Sequence, residues 1–212
     1  MLHKLLVPFV ALATLFHPHP DAYTKMVDRV ELSVVRITGE MSRLTEDGLI
    51  HGTYTCTGEV IAPGKVLTAA HCVDGDTDTM KADADVFTVV KADEDLDLAL
   101  VSVDTHQKPA LKLRAVPVTR FEHLTAIGYA FGYTKMSVMS EVVFLLHDNP
   151  WVKGDPDVYP GIIVQGGYIG GMSGGPVVDA KGLQVSIVQR GSEWVGYGVD
   201  AKTIATFLAG VK

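Results

Sequence analysis

The sequence predicts an all-β fold of two packed lobes followed by a short C-terminal helix. Three observations predict it. From residue 23 onward the chain reads as short runs rich in Val, Ile, Thr and Tyr, punctuated by Gly, Pro and Asp, the pattern of strands and turns. Between Thr105 and Pro117 it turns polar and proline-containing, which suits a crossing between lobes. At the tail, Ile204, Phe207 and Leu208 fall at the i, i+3, i+4 spacing of one helical face.

The elements follow in order. Lys4 and an apolar run over residues 5–16 precede His17-Pro18-His19-Pro20-Asp21-Ala22, which is expected to break regular structure. Residues 1–22 therefore read as a signal peptide, an ordinary buried strand or an uncleaved anchor being the alternatives. The run is too short for a comfortable membrane span, so no stable span is expected. Export would make the protein secreted or periplasmic, in the cell envelope, where disulfides persist. Strands are predicted at 33–37, 58–61, 65–68, 86–90 and 98–103 in a first lobe over 23–108. A second lobe, 109–212, carries strands at 124–128, 140–146, 162–165, 175–178, 184–188 and 196–199, then a helix capped by Asp200.

Composition narrows the function. The chain of 212 residues is 47% hydrophobic, enough for a sizeable core. Its net charge of −7 offers no basic footprint, so no nucleic-acid partner is expected. The only cysteines, Cys56 and Cys72, are too few for a disulfide scaffold or a four-ligand zinc site, leaving one disulfide or two thiols. Asp74-Gly75-Asp76-Thr77-Asp78 alternates acids as calcium loops do, but lacks the glycine and glutamate such a loop requires. No metal and no cofactor are expected.

Three segments carry chemistry. In Gly170-Gly171-Met172-Ser173-Gly174-Gly175-Pro176, glycines surround one serine, and the backbone N–H groups of Gly171 and Ser173 can converge on an oxyanion while the hydroxyl reaches a carbonyl carbon. In Leu67-Thr68-Ala69-Ala70-His71-Cys72, a histidine ends an apolar strand beside small residues, with room to act as a general base. The other histidines, His3, His17, His19, His51, His106, His123 and His147, lie in no comparable setting. In Asp95-Leu96-Asp97-Leu98-Ala99-Leu100-Val101, either aspartate could orient the imidazole.

Taken together, in the order His, Asp, Ser, these segments resemble the chymotrypsin superfamily of serine endopeptidases. The motifs that match are Thr68 to Cys72, Asp97 to Leu100 and Gly171 to Pro176. The resemblance implies two packed six-stranded antiparallel β-barrels, a polypeptide substrate, and a triad of His71, Asp97 and Ser173, selecting Asp97 over Asp95. It also implies a Cys56–Cys72 disulfide, worth roughly 3 kcal/mol in the chain-entropy model. Within the superfamily the chain is similar to bacterial Deg-type proteases and glutamyl endopeptidases. Met172 stands where animal-type zymogens carry an aspartate, so activation by that route is not expected. The sequence ends at Lys212, and the PDZ module that usually follows a Deg-type domain is expected to be absent.

The resemblance also assigns the substrate pocket. Gly167, Tyr168 and Ile169 would form one wall, with no acid to attract Lys or Arg. Gln189, Arg190 and Gly191 would form the other, pairing with the substrate backbone by β-addition. A histidine is absent at Gln189, which argues against strict Glu specificity. The expected residue before the scissile bond is small or apolar, and Arg190 would either favour an acidic neighbour or face solvent. The alternatives are an inactive protease-fold binding protein, an esterase, and a phage or viral processing protease; nothing in the sequence sets the oligomeric state.

Overall fold

A computed structural model describes residues 20–45, 48–74, 79–146, 161–192 and 194–210. Strands β1 (Val34–Thr45), β2 (Gly48–Ala62), β3 (Lys65–Thr68), β4 (Lys81–Ala82), β5 (Asp85–Val86), β6 (Thr88–Asp93) and β7 (Leu98–Ser102) form one seven-stranded sheet, ordered β5-β4-β1-β2-β3-β7-β6. Strands β8 (His123–Ala130), β9 (Thr134–Leu145), β10 (Gly161–Gln165), β11 (Pro176–Val178), β12 (Gln184–Gly191) and β13 (Val195–Asp200) close into a six-stranded barrel, ordered β10-β13-β12-β11-β8-β9. The connection over 105–117 contributes only an isolated bridge, Leu113 to Gln184.

Two β lobes are thus present, with a difference in the first. It remains an open seven-stranded sheet instead of a closed six-stranded barrel. The run expected as one strand over 86–90 is divided at the buried Phe87, and β4 and β5 are only two residues each, joined by Asp83 at φ 54°. The two ends of this sheet, β5 and β6, are separated in the chain only by Phe87, so the sheet curls back on itself as a half-barrel although no ladder joins the two.

The N-terminal segment brings a correction. Pro20-Asp21-Ala22, expected to break regular structure, opens helix α1 (Pro20–Glu31). Proline is tolerated in a first helical turn because its missing N–H has no partner there anyway. Tyr23, Met26, Val27 and Val30 recur at i, i+3, i+4 and i+7, and this stripe packs on Val34, Ile127 and Val178. The rest of the expected leader, residues 1–19, lies outside the described residues, as do residues 75–78 of the acidic loop. Among the described residues no helix is long and apolar enough to cross a membrane.

The C-terminal helix α2 (Ala201–Leu208) forms as expected. Asp200 accepts a hydrogen bond from Thr203 N–H at 2.8 Å, satisfying one free donor of the first turn. Ile204 and Phe207 enter a cluster with Leu67, Leu98 and Leu100 of the first sheet and Ile187 and Val199 of the barrel, so this helix seals the seam between lobes. Lys91 donates to Phe207 O at 2.6 Å, placing a cation at the helix C-terminus where the dipole favours it.

One polar pair also spans the lobes. Glu59 of β2 is fully buried and accepts from the Gln184 side chain of β12. Burial pushes the Glu59 carboxyl well above its ordinary range, against the lowering effect of Gln184. Because the folded state holds this proton to higher pH than the unfolded chain does, stability should fall as pH rises above the unfolded value of about 4.3. Glu59→Gln keeps a neutral hydrogen-bonding group and should remove that penalty. In thermal melts its gain over wild type should be absent near pH 4 and grow toward pH 7, at about 1.4 kcal/mol per pKa unit of displacement.

Candidate active site

The pairing of β3 with β7 builds the first half of the site. Thr68 is the register partner of Ala99, so the turn leaving β3 and the turn entering β7 lie side by side. His71 sits in the first, a single 3₁₀ turn over Ala70–Cys72, and Asp97 in the second. Cys72 is joined to Cys56 of β2 by a disulfide with Cα atoms 5.9 Å apart, which ties the histidine turn to the sheet. Tyr54 adds a hydrogen bond from its hydroxyl to Cys72 O at 3.1 Å.

The His71 Nδ1 atom lies 2.9 and 2.8 Å from the two carboxylate oxygens of Asp97. Asp97 Oδ1 also accepts the His71 backbone N–H at 2.9 Å, so one carboxylate holds both ends of the residue. The Asp97 side chain is 17% exposed and that of His71 48%, which leaves Nε2 free to face the cleft. A carboxylate on Nδ1 favours the tautomer in which that nitrogen carries the proton and Nε2 can accept one. Asp97 adopts φ 51°, the left-handed region, in which aspartate is among the better-tolerated side chains. Asp95 is exposed and makes no bond to His71 among the described residues.

The second half is the loop from β10 to β11, which carries Ser173. Gly174 donates to Val188 O at 2.7 Å and Val188 donates to Gly175 O at 2.8 Å, fastening the loop to β12. Thr57 N–H of β2 donates to Ser173 O at 2.8 Å, fastening it to the other lobe. Gly171 and Gly174 have φ of 95° and 80°, and a Cβ on either would run into the backbone oxygen of Tyr129 or Thr57, so only glycine fits there. Among the described residues neither Gly171 N–H nor Ser173 N–H donates to a protein acceptor. Their orientation follows from the adjoining carbonyls. Gly170 O accepts from Phe131 N–H at 2.7 Å and Met172 O from Gly175 N–H at 2.9 Å, and a trans peptide directs its N–H opposite to its C=O.

His71, Asp97 and Ser173 border one cleft of about 610 Å³. Tyr168, Ile169, Gln189, Arg190 and Gly191 border it as well. Gly167 and Gly171 do not line it, and Gly167 is buried. Ser173 Oγ points at Gln189 O, 3.4 Å away, and no hydrogen bond joins it to His71. Two larger cavities, of about 1030 and 830 Å³, flank residues 113–119 and hold none of these side chains, so size alone does not mark the site.

Residues not singled out from the sequence also belong here. Glu94 is exposed yet borders the cleft, because Asp97 N–H bonds to Glu94 O at 3.2 Å and the turn presents both. Thr57 carries no sequence signal, since its contacts with the serine loop arise only when the lobes meet. The guanidinium of Arg190 lies 5.7 Å from the Tyr197 ring centroid, over its face. As for metals, Cys56, His71 and Cys72 stand close enough to share an ion, but both sulfurs are engaged in the disulfide and supply no thiolate.

Two β lobes with a histidine–aspartate pair and a glycine-cradled serine on one cleft define the architecture of a trypsin-like hydrolase. The family described as the trypsin-like peptidase domain matches residues 56–187, and the chain belongs to it. It is 32% identical over 170 residues to Protease Do-like 2, chloroplastic, of Arabidopsis thaliana, an alignment covering 73% of this chain and 28% of that protein. It is 30% identical over 172 residues to the serine protease Rv3671c of Mycobacterium tuberculosis, covering 77% of this chain and 41% of that protein. The chain thus spans less than half the length of these curated relatives. The solved Rv3671c protease in its active form has the same fold, with a TM-score of 0.75 at 24% identity over 92% of this chain and 87% of that one.

Proposed function

We propose that the chain is a serine endopeptidase that cleaves polypeptides through an acyl-enzyme. Ser173 is the nucleophile, His71 the general base and then acid, and Asp97 the residue that orients His71 and stabilises its imidazolium. The N–H groups of Gly171 and Ser173 receive the oxyanion of each tetrahedral intermediate. The observation that carries this reading is the juxtaposition, on one cleft, of the 2.8 Å His71–Asp97 contact and a serine loop with two unengaged N–H groups. The proton transfer requires Ser173 to rotate about χ1 from Gln189 toward His71; catalytic hydrogen bonds are often long or misaligned before substrate binds.

Small side chains before the scissile bond fit the pocket best. Gly191 of β12 and Gly196 of β13 are register partners, and the Tyr168 ring lies against this pair. A Cβ built on Gly196 would stand 2.6 Å from the ring, and one on Gly191 3.0 Å from Tyr168 Cβ. The ring therefore fills the depth that a large substrate side chain would occupy, and no charge stands in its place. The strand end Gln189-Arg190-Gly191 supports substrate binding by backbone pairing. The Cys56–Cys72 disulfide supports an exported protein working in an oxidising compartment.

Peptide-library profiling tests the reading. Wild type should cut internal bonds after Ala, Ser, Thr or Val, and Tyr168→Gly should shift the preference toward Leu and Phe by about 10-fold or more. Cleavage of esters but of no peptide would contradict an endopeptidase. The orientation of Ser173 toward Gln189 favours one rival, an inactive binding protein on the same fold, for which no internal bond would be cut.

A further inference from the structure

Thr57 lies in the middle of β2, is fully buried, and uses every polar group it has on the serine loop and its supports. Its N–H donates to Ser173 O at 2.8 Å, and its hydroxyl donates to Gly171 O at 2.7 Å. The same hydroxyl oxygen accepts Tyr129 N–H of β8 at 2.9 Å, and its carbonyl accepts the Thr68 hydroxyl at 2.7 Å. Of the loop glycines, Gly174 lies against the Thr57 backbone oxygen and Gly175 against its methyl group, while Gly128 of β8 lies against its hydroxyl.

We propose that Thr57 is a positioning residue for the oxyanion site, its hydroxyl bracing the serine loop of one lobe from the other. The inference rests on the protease reading above. Gly171 at φ 95° has little intrinsic restraint on its backbone, since glycine populates many conformations. Two bonds limit that rotation: Phe131 N–H on Gly170 O, before the Gly171 N–H, and Thr57 Oγ1 on Gly171 O, after it. With both carbonyls held, the Gly171 N–H is held. The Thr57 N–H fixes Ser173 O in the same way, so the two proposed oxyanion donors are referenced to a single residue of β2. Because Thr57 also anchors on Tyr129 and Thr68, a shift between the lobes is transmitted to the loop, and the site is in register only when the lobes are docked.

The test compares Thr57→Val, which matches the side chain in shape but has no hydroxyl, with Thr57→Ser, which keeps it. Thr57→Val should lower kcat by about 10- to 100-fold with KM within about twofold, and should weaken a peptide boronic acid by a similar factor. Thr57→Ser should restore both. In NMR spectra the Gly171 and Ser173 amide signals should broaden or double in Thr57→Val and not in Thr57→Ser. If Thr57→Val does not fold, Thr57→Ala replaces it with the same readouts. The proposal is overturned if the hydroxyl-free variant loses melting temperature but keeps kcat and sharp amide signals, or if Thr57→Ser falls as far. A wild type that neither cuts peptide nor reacts at Ser173 would end the protease reading instead, and the amide signals would still decide the brace.

Discussion

Ser173→Ala and His71→Ala should each lower kcat by about 10⁶-fold, and the double variant should be scarcely worse than either. The non-additivity is the informative part. A serine hydroxyl is a weak nucleophile until a base takes its proton, and the base has no substrate proton to take without the serine, so the two act as one unit. What survives should be a residual acceleration of about 10³- to 10⁴-fold over water, supplied by the Gly171 and Ser173 N–H groups and by substrate binding. Steady-state rates on a peptide cut by wild type, with KM measured for each variant, check this. Nearly unchanged KM values would place the loss in the chemical step, and independent losses that multiply would contradict a shared proton transfer.

Asp97→Asn should lower kcat by about 10⁴-fold while leaving the fold intact. An asparagine retains an oxygen for the His71 N–H, now bonded to Oδ1 at 2.9 Å. Its amide must then donate to Nδ1, which drives the imidazole proton to Nε2 and removes the acceptor that Ser173 needs. The imidazolium formed in each turnover also loses its counter-charge. Kinetics on Asp97→Asn beside Asp95→Asn separate the two aspartates: the exposed Asp95 should be silent, and a full-rate Asp97→Asn would remove that residue from the mechanism.

Parts of most strands and the C-terminal helix were legible because their signals are local, whereas β1, β2 and β9 run well beyond the segments predicted at 33–37, 58–61 and 140–146. The run over 65–68 coincides with β3, and Asp200 caps the helix that its position announces. Helix α1 was missed although Tyr23, Met26, Val27 and Val30 mark its face, because the proline-rich approach read as a break and the following residues as the start of a β region. The open edge of the first sheet was hidden because two-residue strands carry no periodicity.

The site divides in the same way. Ser173 and His71 announce themselves by the residues around them, whereas the sequence separates Asp97 from Asp95 only through the family resemblance, and the register of Thr68 with Ala99 puts Asp97 opposite the histidine turn. Thr57 and the ring of Tyr168 owe their roles to contacts across the lobes or across the barrel wall, and no spacing along the chain encodes these.

The most direct measurement is intact-mass analysis after treatment with a fluorophosphonate, followed by peptide mapping. Ser173 Oγ should attack phosphorus, fluoride should leave, and His71 should take the hydroxyl proton, giving one adduct per chain on the peptide containing Ser173 and none in Ser173→Ala or His71→Ala. An unmodified wild-type chain, or an adduct on another residue, would contradict the account.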